Sequence, residues 1–222
     1  FHTEPGFLDA WRRYSVALRH RNAALRTGGT DRLVDAWDGE LAAVAAIIDR
    51  LRQSFCKALE NALEPLVAAT LGEVSVRVDY RRGWPLEPSE RDFATWLHTG
   101  RAGDRQQAHT RLGPHRADFS VRVAGRPSVE NLSRGQQKLL VIALVLAQAE
   151  LYRLRLGDAC ILLIDDLPAE LDAGNRARVM RALAALDSQL FVTAIEPGLL
   201  EGTAWPQARA FRLASGEVSE LV

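Results

Sequence analysis

Two adjacent carboxylates, Asp165 and Asp166, close the apolar run Cys160-Ile161-Leu162-Leu163-Ile164. An unbroken apolar run of this length predicts a strand buried on both faces, as in a parallel sheet covered by helices. Acids at the C-terminal end of such a strand stand where open α/β sheets bind ligands. Side by side they repel each other unless a proton or a cation lies between them. Hard carboxylate oxygens beside a nucleotide phosphate suit Mg2+. Taken alone, the pair reads equally well as an acidic surface turn.

A second constellation lies upstream. Leu132-Ser133-Arg134-Gly135-Gln136-Gln137-Lys138 runs directly into the apolar stretch 139–147. Ser133 with Gln136 three residues on is the capping-box pattern of a helix start. Free N–H groups and aligned peptide dipoles make such a start an anion site. Gly135 would let a phosphate approach the backbone closely. On its own this too is an ordinary helix start.

The order of these pieces is more specific than either piece. Leu-Ser-x-Gly-Gln, a helix, an apolar strand, two acids and then Ala169-Glu170-Leu171-Asp172 resemble the ATPase heads of the ABC superfamily. Residues 132–136 are similar to the signature motif, 161–166 to the Walker B strand and 169–172 to the D-loop. Three further stretches resemble the RecF family of bacterial recombination and repair proteins. They are Phe1-His2-Thr3-Glu4-Pro5-Gly6-Phe7, Arg21-Asn22-Ala23-Ala24-Leu25-Arg26 and Gly113-Pro114-His115-Arg116-Ala117-Asp118.

The resemblance implies an α/β fold. It would be the C-terminal lobe of an ABC-type (P-loop) ATPase head, residues 113–222, plus a second domain bearing a helical hairpin, residues 1–112. It implies that Asp165 holds Mg2+ and that Asp166 orients or deprotonates the attacking water. Ser133, Arg134, Gly135, Gln136 and Asp172 would contact ATP held by the opposite subunit of an ATP-dependent homodimer. The implied role is DNA repair, replication-gap repair and SOS induction. The partners would be double- or single-stranded DNA at gaps and recombination mediators of the same pathway. The competing expectations are an SMC-type ATPase head, which carries much longer arms, and a non-catalytic partner-binding module.

Two family features are missing. No Gly-x-x-x-x-Gly-Lys-Ser/Thr occurs, and the two lysines, Lys57 and Lys138, follow no such glycine loop. Without that loop the β- and γ-phosphates have no cradle. RecF-like proteins carry it in an N-terminal segment, so the sequence reads as the C-terminal portion of a longer protein. Weak ATPase activity is expected of the complete protein, and none of this portion. The histidine that relatives place after the next strand is also absent, leaving Thr193 or Glu196 to substitute.

Composition sets the bounds. Hydrophobic residues make up 47% of 222, enough for a sizeable core, and the formal charge is zero. No global field draws DNA in, so any contact needs local patches. Cys56 and Cys160 have no metal-ligand spacing, and reduced thiols suit a cytoplasmic setting. The longest apolar runs, 41–48 and 139–147, are too short to span a bilayer.

Helical spacing is expected over 5–26 and over 32–64, where Pro65 stops it. The second helix would be about 50 Å long. Arginines dominate the first arm and aspartates the start of the second, so the arms complement each other; the alternative is a basic arm facing DNA. Residues 73–80 and 117–123 alternate as strands. Residues 90–113 read as a helix interrupted at 99–103, with Arg101, Arg105 and Arg111 as a modest basic patch. A helix over 174–186, a buried strand over 190–195 and a hairpin around Ser215-Gly216-Glu217 complete the chain.

Overall fold

Phe7, Ala10, Tyr14, Ala17, Ala24 and Leu25 lay one buried stripe along helix α1, Phe7–Arg26. Thr30 caps helix α2, Asp31–Leu71, by accepting from the Leu33 N–H. The two helices pack on each other, with Leu41, Val44, Ala45 and Ile48 of α2 against Phe7, Tyr14 and Ala17 of α1. The computed structural model describes residues 3–85, 92–200, 205 and 208–221. Phe1 and His2 of the first RecF-like stretch lie outside the described residues. So do Glu90, expected to open a helix, and Val222, expected to end a hairpin.

Helix α2 does not stop at Pro65 but runs on to Leu71. An internal proline removes one ladder hydrogen bond and costs roughly 3 kcal/mol. Leu59, Leu63 and Val67 flank it, each at most 2% exposed. Burying one such side chain contributes about 1.5–3 kcal/mol, so packing outweighs the proline. The inward stripe also differs from the expected one at its start. Val34 is buried and Leu33 is exposed.

Strand β1, Val76–Arg81, pairs antiparallel with β2, Asp118–Val123, which pairs in turn with the short β3, Arg126–Pro127. Val76, Val121 and Val123 face the second half of α2. Between β1 and β2 lies α3, Phe93–Gln107, a continuous helix through Gly100 and Gly103. The expected interruption is overridden because Phe93, Leu97, Arg101 and Asp104 all turn into the α1–α2 hairpin.

A four-residue helix α4, Ser128–Asn131, precedes α5, Arg134–Leu156. Strand β4, Ile161–Ile164, leads through a short 3-10 turn to α6, Ala173–Ala184, and then to β5, Gln189–Val192. β4 and β5 pair in parallel with α6 in the connection between them, a βαβ unit. Strands β6, Ala210–Ala214, and β7, Glu217–Leu221, form a hairpin through Ser215 and Gly216, both at positive φ. Contacts between α2 and α5 and between β1 and β2 cross the expected division at 112/113. Among the described residues no helix is long and apolar enough to cross a membrane.

β4 and β5 are not buried on both faces as their composition predicts. Leu162, Ile164, Leu190 and Val192 pack on α5 and α6. Ile161, Leu163 and Phe191 are 63%, 78% and 53% exposed. The same holds for Phe211, Leu213 and Val218 of the terminal hairpin. Nothing among the described residues covers this apolar face.

The hairpin is locked by buried charge. Arg21, fully buried, donates to Asp38, to Asp104 at 2.8 Å and to Thr110 Oγ1 at 2.8 Å. Arg101 reaches Asp38 at 2.9 Å and also pairs with Asp35. Arg105 pairs with Asp31, and Arg111 with Asp104. Arg101, Arg105 and Arg111 therefore serve the fold and are not a free basic patch. Removing one partner of a buried pair strands the others, at about 3–5 kcal/mol. Arg21→Ala should cost that much in chemical denaturation, whereas removing the exposed Arg13–Glu40 pair should cost at most about 1 kcal/mol. Equal, small losses would show that the buried cluster does not hold the helices together.

His115 sits between Tyr14 and the Thr110 carbonyl. Nε2 donates to that carbonyl at 3.0 Å, so neutral Nδ1 accepts from the Tyr14 hydroxyl at 2.7 Å. Burial lowers its pKa from the ordinary 6.5. The unfolded chain then takes up the proton first as pH falls. The stabilisation is complete above 6.5, is lost below it, and levels off once the folded imidazole also titrates. The denaturation midpoint should fall from about pH 8 to about pH 5, and His115→Gln should remove that part of the slope. An unchanged slope in His115→Gln would place its origin elsewhere.

Candidate nucleotide and metal site

The acidic pair lies where β4 ends, beside the end of β5. The Thr193 N–H extends the parallel ladder by donating to the Ile164 carbonyl at 2.9 Å. This brings the Thr193 side chain across the pair. Its hydroxyl donates to Asp165 Oδ1 at 2.7 Å and accepts from the Asp166 N–H at 2.9 Å. Asp166 takes a left-handed conformation, φ 47°, that costs an aspartate about 1 kcal/mol. Its Oδ1 is buried with no hydrogen-bond partner.

An orphaned carboxylate oxygen beside a second, exposed carboxylate fits a hard divalent cation. Among the described residues no three His, Cys, Asp or Glu side chains cluster for a metal. That donor count suits Mg2+, which takes one or two carboxylates and completes its shell with water and phosphate oxygens.

The signature-like turn is formed as its sequence predicts. Ser133 Oγ accepts from the Gln136 N–H, and Gln136 Oε1 accepts from the Ser133 N–H at 2.9 Å. The box satisfies orphan donors at the start of α5, worth about 1 kcal/mol. Ser133, Arg134, Gly135 and Gln136 are all exposed. Apart from its chain neighbours and its own helix backbone, no atom lies within 4 Å of where a Cβ on Gly135 would stand. The fold itself gives no reason for glycine there, and the backbone is open to an incoming group.

Two links tie this turn to the acids. α5, β4 and α6 share one core through Leu139, Leu146, Leu162, Ile164, Val179 and Leu183. Lys138, the fifth residue of α5, pairs with Glu170 at 3.1 Å. No hydrogen bond joins Ser133 to either acid among the described residues. Asp172 caps α6, with one oxygen accepting from the Asn175 N–H at 2.9 Å and the other from the Asn175 side chain at 2.6 Å. That backbone N–H is the main cause of its lowered pKa. Its oxygens serve the helix in this structure.

The other RecF-like stretches have internal work. Arg21 anchors the buried charge cluster, and Asn22 Oδ1 accepts from the Thr110 N–H at 2.8 Å. Gly113 lies so close to Tyr14 and Phe93 that a Cβ would collide with both. Asp118 pairs with Arg81, and Arg116 is exposed. Glu196 is exposed as well.

The RecF/RecN/SMC N terminal domain pattern matches residues 21–214. The chain belongs to the RecF/RecN/SMC N-terminal domain family. Within it, the chain is similar along its whole length to proteins named DNA replication and repair protein RecF. The one from Pseudomonas paraeruginosa is 40% identical over 99% of this chain, and the one from Shewanella loihica 36% over 100%. These alignments cover 60% and 61% of the relatives. The chain thus spans about three fifths of their length. The fold is similar to that in a structure of the recombination mediator protein RecF-ATP in the RecFOR pathway. The TM-score is 0.79 at 21% identity, over 99% of this chain and 60% of that one. The chain therefore shares the α/β fold of that RecF structure.

Because Gly135 packs against nothing, Gly135→Ala should leave stability unchanged or raise it by about 0.5 kcal/mol in a denaturation experiment. A loss above about 1 kcal/mol would show that the glycine serves the fold, not an approaching ligand.

Proposed function

We propose that this chain belongs to a RecF-like, ATP-dependent recombination mediator that binds DNA at gaps. The observation that carries the reading is the acidic pair. Asp165 and Asp166 end one strand of a parallel pair, one of their oxygens is buried and unpartnered, and an anion-ready helix start stands on the same core. On this reading residues 113–222 supply the ATPase lobe and residues 1–112 the arm. The exposed apolar face of β4 and β5 packs against the segment that brings the phosphate loop. Parallel sheets are stable with both faces covered, and Leu163 at 78% exposure is not.

The residues then divide the work. Asp165, with the oxygen its Thr193 bond leaves free, and Asp166 would hold Mg2+. Bound Mg2+ would neutralise charge on the transferring phosphoryl group. Asp166 would also orient the attacking water. Ser133, Arg134, Gly135 and Gln136 would meet ATP on a second copy, with Asp172 positioning that edge through α6. Closure over two ATP molecules makes a two-fold dimer that grips DNA.

The arm offers DNA only a narrow surface. Arg13, Arg21, Arg101 and Arg105 are paired with aspartate or glutamate. Arg12, Arg19 and Arg26 are exposed at seven-residue spacing on one face of α1, Arg12 with an exposed 3.9 Å pair to Asp9. With α1 of 20 residues the hairpin is short, which favours the RecF reading over an SMC-type head. A cytoplasmic role in repair and SOS induction, with mediators of the same pathway as partners, follows from that reading.

The test uses the complete protein. Asp166→Asn should slow hydrolysis about a hundredfold or more and hold the ATP-bound dimer closed. Ser133→Arg should bind ATP normally yet form no ATP-dependent dimer on sizing chromatography with light scattering. Wild-type turnover in the first variant, or a wild-type dimer in the second, would overturn the assigned roles.

A further inference from the structure

Among the described residues Thr193 bonds to both acids, and the proposed function above names its bond to Asp165 without giving the residue a role. Three hydrogen bonds meet at this residue. Its N–H donates to Ile164, its hydroxyl donates to Asp165 Oδ1, and the Asp166 N–H donates to its Oγ1. The polarity of this set is fixed by proton count. A hydroxyl has a single proton, and a backbone N–H can only donate. Oγ1 must therefore accept from Asp166 and give its proton to Asp165. Asp165 Oδ1 thereby has one lone pair engaged, while Oδ2 is left wholly free among the described residues.

The same hydroxyl holds the left-handed Asp166 by its N–H. That conformation turns Asp166 Oδ1 inward, where it has no partner. One side chain just past β5 thus decides which oxygen each acid just past β4 can offer. Resting on the ATPase reading of the acidic pair, we propose that Thr193 is a positioning residue for the divalent cation. It makes Asp165 a one-oxygen ligand and keeps the Asp166 carboxylate in place beside it. Small, strictly octahedral cations such as Mg2+ reward a ligand held in one orientation. Groups that orient metal ligands are typically worth tenfold to a hundredfold in affinity.

The experiment uses the complete protein with ATP and Mn2+ as the probe, read by electron paramagnetic resonance. Thr193→Val keeps the branched shape and removes the hydroxyl, and Thr193→Ser keeps the hydroxyl. Thr193→Val should weaken Mn2+ binding about tenfold or more, while ATP binding in EDTA stays at the wild-type level. Thr193→Ser should restore Mn2+ binding to within about twofold of wild type, against the tenfold loss expected without the hydroxyl. Wild-type Mn2+ affinity in Thr193→Val would overturn the proposal. Equal loss in the serine variant, or loss of ATP binding in EDTA, would overturn it in favour of a purely structural role. Asp165→Ala separates the two levels of inference. If Mn2+ affinity ignores Asp165→Ala, the ATPase reading of the acids falls and the proposal with it. If Asp165→Ala weakens the ion and Thr193→Val does not, only the latch is wrong.

Discussion

One apolar stripe on α2 supports both ends of the molecule. Its first half, from Leu41 to Ile48, completes the core of the arm with α1 and α3. Its second half, Leu59, Leu63 and Val67, completes the core under the β1–β2 sheet and α5. Leu66 and Leu71 go further and touch the core of the β4–β5 lobe. At 1.5 Å per residue its 41 residues make a strut of about 60 Å. A break at Pro65 would separate α5, which carries the signature-like turn, from the arm. The packing of Leu63 and Val67 keeps it whole.

Around that strut, charge is placed where apolar packing alone would be indifferent. Hydrophobic stripes allow helices to slide or rotate by a residue at modest cost. A buried Arg21 allows no such freedom, because its donors need Asp38, Asp104 and Thr110 at once. Those partners lie on α2, on α3 and in the segment after α3, so a single guanidinium fixes three pieces against α1. Its value is in register more than in net stability, since burying these charges is itself costly.

The sequence was legible where the cause is local. The capping box at Ser133 and Gln136, the strand before Asp165 and Asp166 and the Ser215–Gly216 turn all need only neighbours in the chain. It was less legible where distant packing overrides local preference. Pro65 and the glycines of α3 are breakers by propensity, and only the burial of their neighbours shows why the helices continue. Arg21 had a visible sign: it falls on the same helical face as Tyr14, Ala17 and Leu25, where a charge needs a buried partner. Thr193 had a weaker one, a polar residue ending an apolar strand. Its meeting with Asp165 and Asp166 depends on β4 and β5 being parallel neighbours, which pattern alone does not fix.

Whether a feature is satisfied inside the chain separates structural from functional residues. Arg21, Asn22, Gly113 and His115 are family-like, and each is fully explained by contacts within the fold. Gly135, the free oxygens of the acidic pair and the bare face of β4 and β5 are not explained that way. A helix glycine with empty space around it, a buried carboxylate oxygen with no donor and an apolar strand half in water each carry a cost that this chain does not recover. They all lie on the lobe built by α5, β4, α6 and β5. Their needs are also complementary: a cation for the acids, an anion for the helix start and an apolar surface for the sheet. A nucleotide with its metal, brought in on a packed protein segment, would meet all three together.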